Sequence, residues 1–396
     1  MSIPPIASLE IGSHRTVVLV GEADADGRMT VVGKGVNISS GVHKGQVIDF
    51  SHAEVGVSQA VKQAVDESRI DIGRVLLAAS GGYISADINQ GSSPVRSHDH
   101  VVSAEDVEEV TENARNINLP PNRGVMHTIP QKFRLDGQSG IVKPEGLKGS
   151  NISLNMLVVH AQTGPVENLR NVASAASLDV DDVVFSALCA SLAVLSPSQK
   201  NSGVAVVDLG GGTTNYIAYV DGVPASAGAI SVGGDHITND ISLAFNISQA
   251  KAEDIKCEFG NALVGGGGER IPLPVDFGAR ERSLSLKALR TVVNARLDET
   301  LKIIRSKFVQ DDVMAKLGAG IVFTGGGASL PGLVDLAQSV FGVPCMVGVP
   351  RNVFGLENVK DPHSFAVAAG LLLYGLKSWK AENHRPFESV RRLFGL

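Results

Sequence analysis

The chain has 396 residues, 43% of them hydrophobic, and a net charge of −6. This length exceeds what one hydrophobic core serves, so two or more domains are expected. The acidic balance excludes a nucleic-acid surface as the main business, and the scattered Cys189, Cys257 and Cys345 exclude a disulfide framework or a zinc site.

Those cysteines read as buried thiols of a reducing compartment. The start, Met1-Ser-Ile-Pro-Pro, shows no secretory pattern, and no apolar run reaches membrane-spanning length, so a cytoplasmic protein is expected. Strands are predicted over Ile6–Ile11, Arg15–Gly21 and Met29–Val36, with a turn at Asp26-Gly27. Ser51 and Glu54 form a capping-box pattern that opens a helix with Ala53, Val57, Ala60, Val61, Ala64 and Val65 on one face. Arg74–Ser80 is a buried strand ending at Gly81-Gly82.

Residues 84–162 change character. A polar helix over Val101–Asn116, capped by Ser103 and Asp106, precedes short strands broken by Pro120-Pro121, Pro130 and Pro144. This reads as an inserted α+β module. A helix over Pro165–Ala176, a short strand Val183–Phe185 and a small-residue helix Ser186–Leu195 follow. Val204–Val220 is a hairpin that repeats the grammar of the first one. A second insertion spans residues 229–310, with helices near Asp235–Phe245 and Ser248–Glu258, a glycine loop at Gly265–Gly268 and a long helix Ser285–Phe308. Pro331 suits the first position of a helix opened by Leu330-Pro331-Gly332-Leu333, and Ser364–Leu376 is a helix rich in Ala and Gly that could cross closely over Ser186–Leu195. The partly recurring order predicts an α/β, actin-like two-lobed fold. Its duplicated βββαβα lobes would carry an inserted α+β module and flank a nucleotide cleft. The expected division is 1–83 with 359–378, 84–162, 163–228 with 311–358, 229–310, and 379–396.

Three glycine turns carry the chemistry. Glu10-Ile-Gly12-Ser13 and Asp208-Leu-Gly210-Gly211-Gly212-Thr213-Thr214 each follow an apolar strand with an acidic residue, a glycine turn and a hydroxyl. Glycine lets backbone amides approach a phosphate, and successive amides form anion-binding concavities. Glu10 and Asp208 stand where Mg²⁺ or its waters need a carboxylate. For Glu10 alone a plain hairpin turn is the simpler reading. Three consecutive glycines at 210–212 weaken a hairpin that has no ligand to approach. The third turn is Thr324-Gly325-Gly326-Gly327-Ala328. The basic residues Lys287, Arg290, Arg296, Lys302 and Arg305 read either as a solvated face or as a contact for a partner.

Together these features resemble the actin/Hsp70/sugar-kinase superfamily and, within it, the FtsA family of bacterial cell-division actin homologues. The resemblance covers nearly the whole chain. His127-Thr-Ile-Pro130-Gln131, Asp136-Gly-Gln and Gly140-Ile-Val-Lys-Pro144 look like the family's inserted domain, and Ala250–Lys256 like its nucleotide-flanking helix. Pro386–Leu396 looks like its membrane-targeting helix. The resemblance implies ATP and Mg²⁺ between two lobes, self-assembly into filaments, and tethering of FtsZ, through its C-terminal tail, to the inner membrane at the division site beside other divisome membrane proteins. It implies that Gly12, Ser13 and Arg15 face the phosphates from one lobe and Gly210, Gly211, Gly212, Thr213 and Thr214 from the other. Gly234, Glu253 and Lys256 would flank ribose and base, Gly325, Gly326, Gly327 and Ala328 would lie under the base, and Glu10 and Asp208 would serve the metal. Glu10 stands where the superfamily usually has Asp, and Arg15 where Lys is common; a guanidinium forks where an ammonium is a point charge. Arg296 and Arg305 would touch FtsZ. Phe387, Val390, Leu393, Phe394 and Leu396 would enter an anionic lipid surface with Arg391 and Arg392. No group on Ser186–Leu195 suits the orienting of an attacking water, so at most a weak ATPase is expected. A pilus-assembly adaptor, a small-molecule kinase and an Hsp70-type chaperone are the alternatives: the basic amphipathic C-terminus argues against the first, the lack of a catalytic Asp for a substrate hydroxyl against the second, and the lack of a peptide-binding domain against the third.

Overall fold

The computed structural model describes residues 3–273 and 282–384. The first lobe opens with β1 (Ile6–Ile11), β2 (Arg15–Ala23) and β3 (Met29–Ile38), then a small hairpin of β4 (Val42–His43) and β5 (Gln46–Val47), helix α1 (Phe50–Ser68) and β6 (Arg74–Ala79). The inserted module follows as β7 (Ile84–Pro94), α2 (Ala104–Arg115), β8 (Arg123–Leu135), β9 (Gln138–Ile141) and β10 (Asn151–Gln162). Next come α3 (Thr163–Ala175), β11 (Asp179–Phe185), α4 (Ser186–Val194) and α5 (Pro197–Asn201). The second lobe begins with β12 (Val204–Leu209), β13 (Thr214–Val220) and β14 (Val223–Ile230). Its own insertion holds α6 (Gly234–Phe245), α7 (Gln249–Phe259), β15 (Arg270–Leu273), β16 (Arg282–Ser285) and α8 (Leu286–Gln310). The chain ends through β17 (Ile321–Thr324), α9 (Leu333–Phe341), β18 (Cys345–Val347), β19 (Val353–Phe354) and α10 (Ala366–His384).

Two large sheets define the lobes. The first has the order β11-β6-β1-β2-β3-β19 and the second β14-β13-β12-β17-β18. Their centres match: β1 runs antiparallel to β2 and parallel to β6, and β12 runs antiparallel to β13 and parallel to β17. Every residue of β12 is buried, as expected of a central strand covered on both faces. Its alternation then divides the core. Val204 and Val206 join one large cluster with α4, α10 and the first lobe, while Ala205, Val207 and Leu209 pack with α8 and α9. Helices α4 and α10 cross between the sheets with small residues at the contact. A Cβ on Gly370 would stand 1.8 Å from the Cys189 carbonyl oxygen.

The structure corrects several expectations. Strand β11, expected in the second lobe, pairs in parallel with β6 and extends the first sheet, occupying the edge of β6 that faces away from β1. Helix α1 starts at Phe50, capped by Asp49, whose carboxylate accepts from the His52 N–H at 3.1 Å; Glu54 instead accepts from Ser58. The module has long strands. Pro130 lies inside β8, opposite Met156 beside a bulge against β10, where a strand tolerates proline, and β9 pairs only with Phe133 and Leu135. Pro331 precedes α9, whose N-cap is Gly332. Cys257 is exposed, while Cys189 and Cys345 are buried. Among the described residues no helix is long and apolar enough to cross a membrane.

Candidate nucleotide cleft

The two phosphate-type turns have the same construction. Gly12 N–H donates to the Arg15 carbonyl at 3.0 Å, and Gly210 N–H donates to the Thr213 carbonyl at 2.9 Å. Each turn leaves the C-terminal end of a central strand, and the acidic residues occupy equivalent registers, Glu10 opposite Ala78 of β6 and Asp208 opposite Thr324 of β17. The turns face each other across the lobes and touch. A Cβ on Gly212 would meet Ser13 Oγ at 2.5 Å, and one on Gly211 would meet His14 Cβ at 2.9 Å. Only glycine permits that approach. Helix α6 caps the second turn from behind, with Gly234 N–H donating to Gly210 at 3.0 Å and Asp235 N–H to Gly211 at 2.8 Å.

The carboxylates lie beneath the turns. Glu10 Oε2 is sealed from solvent with no hydrogen-bond partner among the described residues. Burial pushes Glu10 up to about 7, opposed by the Arg15 charge and reinforced by that of Asp208. Burial also raises Asp208 to about 6, although Asn215 donates to its Oδ2 at 3.1 Å and Arg15 lowers it. The third turn closes over Asp208. Gly325, at φ 82°, would place a Cβ 2.4 Å from Asp208 Oδ1, so a side chain is excluded there by both space and backbone. Gly326 opens onto free space. Arg15 is committed behind its turn: it donates to the Ser364 carbonyl, and its guanidinium lies 4.6 Å from the Phe365 ring centre.

On the far side of Gly234, Lys256 Nζ donates to Glu253 Oε2 at 2.6 Å, to Thr238 Oγ1 at 2.8 Å and to the Gly234 carbonyl at 3.2 Å. Burial works against the Glu253 carboxylate, but the Lys256 charge and the hydrogen bonds hold its titration below the ordinary range. Ala328 is buried beside Leu209 in the second-lobe core. The structure thus gathers the three turns, Gly234, Glu253 and Lys256 around one line of contacts. It also adds residues that pattern reading missed. Asn215 orients Asp208 and Thr238 bridges Glu253 to Lys256. Ser80-Gly81-Gly82 follows β6 as Gly325–Gly327 follows β17, and the shared strand–turn order was the available signal.

Arg296 and Arg305 lie elsewhere, on α8. Arg296 forks onto Asp240 at 2.6 and 3.1 Å and reaches Glu299 at 2.6 Å, so its charge is internally matched. Arg305 is exposed and in no ion pair among the described residues. Leu243, Val292, Ala295 and the Asp240–Arg296 pair line a groove of about 520 Å³. The residues expected to enter a lipid surface, 387–396, lie outside the described residues.

The comparisons with known proteins fit this construction. The family model described as cell division protein FtsA matches residues 205–370, and that of the SHS2 domain inserted in FtsA matches residues 81–160. The cell division protein FtsA of Pseudomonas aeruginosa is 32% identical over 374 residues, 94% of this chain and 89% of that protein. The chain belongs to the FtsA family of cell division proteins. FtsA of Escherichia coli K12 is 34% identical over 382 residues, covering 94% of this chain and 90% of its own. Solved structures share the actin-like fold at low identity. A chain of the PilM–PilN type IV pilus biogenesis complex has a TM-score of 0.65 at 16% identity, covering 94% of this chain and 98% of its own. MreB5 of Spiroplasma citri bound to ADP has a TM-score of 0.58 at 15% identity, covering 96% and 99%.

Proposed function

We propose that this FtsA family member binds MgATP between its lobes, self-assembles, and tethers FtsZ to the cytoplasmic face of the inner membrane at the division site. The observation that carries the nucleotide reading is the pair of equivalent turns, Gly12–Arg15 and Gly210–Thr213, set over two buried carboxylates with one orphan oxygen. Their donor set fits a polyphosphate: backbone amides without Cβ atoms in the way, the hydroxyls of Ser13 and Thr213, and Glu10 and Asp208 for Mg²⁺, which favours one or two carboxylates completed by phosphate and water. Gly234, Glu253 and Lys256 would flank the ribose and base, with Gly325–Ala328 beneath. Arg15 would act indirectly, by holding its turn against α10 and lending positive charge to both carboxylates.

Bound MgATP supplies a charged chain that bridges the lobes. Because Ser13 and Gly212 touch, the lobes must part to admit it, which supports a role for nucleotide as a conformational ligand. Helix α4 supports slow hydrolysis at most. Ser186 donates to the Ala79 carbonyl at 2.8 Å, Ser191 is held by Leu188 and Tyr219, and burial keeps the Cys189 thiol protonated. None is available to orient a water.

Family membership supports the partners. We assign FtsZ contact to residues 229–310, through α8 and the groove at Leu243, with Arg305 as the exposed charge. The module 84–162 serves longitudinal self-association, and residues 386–396 bind the lipid surface. The decisive experiment is Asp208→Ala. Removing the carboxylate nearest the proposed cation should abolish Mg²⁺-dependent ATP binding by calorimetry. Normal affinity in that variant refutes the site.

A further inference from the structure

We infer that the β4–β5 hairpin is a third phosphate-binding element, with Lys44 as the residue that recognises the terminal phosphate of a nucleoside triphosphate. The inference rests on the nucleotide reading above and assigns a residue to which no motif drew attention.

Geometry carries it. The hairpin tip, Lys44-Gly45, reaches into the junction of the two turns. Gly45 N–H donates to Ser13 Oγ at 3.0 Å, and the Lys44 amide nitrogen lies 2.9 Å from the point where a Gly212 Cβ would stand. The tip is fixed to the first lobe. A Cβ on Gly45 would meet the Ser80 carbonyl at 2.0 Å, and the N–H groups of Ile48 and Asp49 both donate to the Gly41 carbonyl, at 2.8 and 3.1 Å. When the lobes part, the tip therefore stays beside Ser13 and leaves the Lys44 amide at the edge of the gap, where the ammonium would meet the ligand.

The choice of residue adds weight. Lys44 and Gly45 have φ of 51° and 75°, as in a tight hairpin turn whose first position favours Asn, Asp or Gly. A lysine held in this left-handed region is strained, and such strain clusters at functional sites. Its charge also reaches the second lobe, where it helps burial lower the titration of His236 at the start of α6.

Position along the cleft selects the phosphate. Contacts run from Lys256 to Gly234, from Gly234 to Gly210, and from Gly212 to Ser13 and Lys44. The hairpin meets the tips of the two turns, whereas Lys256 and Glu253 meet Gly234 behind the second turn; on the nucleotide reading the last phosphate of a triphosphate lies at those tips.

The test is calorimetric titration of the full chain with ATP and with ADP, both with Mg²⁺. Lys44→Ala should lose about tenfold or more in ATP affinity, the size of one charge-assisted contact, and less than about twofold for ADP. Lys44→Met, which keeps the stem, should show the same selective loss, and Lys44→Arg should recover part of it, all with unchanged melting curves. An ATP-to-ADP affinity ratio equal to wild type in both Lys44→Ala and Lys44→Met overturns the hairpin assignment and leaves the nucleotide site standing. Failure of the wild-type protein to bind either nucleotide overturns the site itself.

Discussion

Protonation of His127 should loosen the inserted module from the first lobe. His127 lies on β8, buried, and its Nε2 accepts from the Phe185 N–H at 3.0 Å, which requires that nitrogen to be unprotonated. Its ring meets the Tyr374 ring edge-on at 6.3 Å, and Tyr374 donates to Asp182 Oδ2 at 2.8 Å. One histidine thus joins the module, the first sheet and α10. Burial lowers its pKa from 6.5 to about 4, against the opposing pull of the Asp182 charge. The folded value lies below the unfolded one, so the unfolded chain takes up a proton that the folded chain refuses. Stability is full above about pH 6.5 and falls as pH drops toward 4, by about 3 kcal/mol for this group. Urea unfolding from pH 7.5 to 4.5 measures it. His127→Gln, whose amide oxygen can still accept from Phe185, should flatten this acid limb while costing little at pH 7.5. If the wild-type and variant curves stay parallel over the whole range, the buried neutral histidine is refuted.

Three further outcomes are expected. Gly370→Ala should lower stability by about 1–3 kcal/mol, because the new methyl meets main chain of α4 and the helices must separate; an unchanged melting temperature would show that the crossing is looser than described. Arg305→Glu should weaken binding to an FtsZ C-terminal peptide, most at low salt, with stability intact, whereas Arg296→Glu should destabilise by opposing Asp240 with a like charge; a peptide affinity unaffected by Arg305→Glu across a salt series makes that face merely solvated. Phe394→Glu and a truncation after Arg385 should both release the protein from anionic vesicles in co-sedimentation while leaving ATP binding intact, and continued pelleting of the truncated chain would move the tether elsewhere.

The legible parts of this protein are local. Each phosphate-type turn is a strand, a glycine break and a returning strand within a dozen residues, so alternation and glycine alone reveal it. The spacing of small residues in α4 and α10 likewise foretold a close crossing, which Gly370 and Cys189 realise. The division of the chain was harder to read, because β11 joins β6 across the whole inserted module and sequence distance hides such pairings. Cap choice turned on competition between neighbours. Asp49 and Ser51 are both good caps, and the helix begins at the earlier one. The Lys44-Gly45 tip escaped notice because its strands are two residues long and leave no periodicity.

Helix α10 explains how these separate parts form one device. Its entry, at Ser364 and Phe365, holds Arg15 and through it the first turn and both buried carboxylates. Its middle packs Gly370 on α4 and Tyr374 on the His127–Asp182 pair that docks the module. Lys380, near its end, lies over the Gly27 turn, which joins β2 to β3 at the end of the sheet opposite the cleft. A rise of about 1.5 Å per residue makes this 19-residue helix a stiff rod. If the lobes part as proposed, a shift of the Arg15 turn would be taken up by the helix as a whole. On the proposed nucleotide reading, the same displacement would reach the module through Tyr374. Nucleotide, self-association and membrane attachment would then be coupled by a rigid element rather than by a chain of loops.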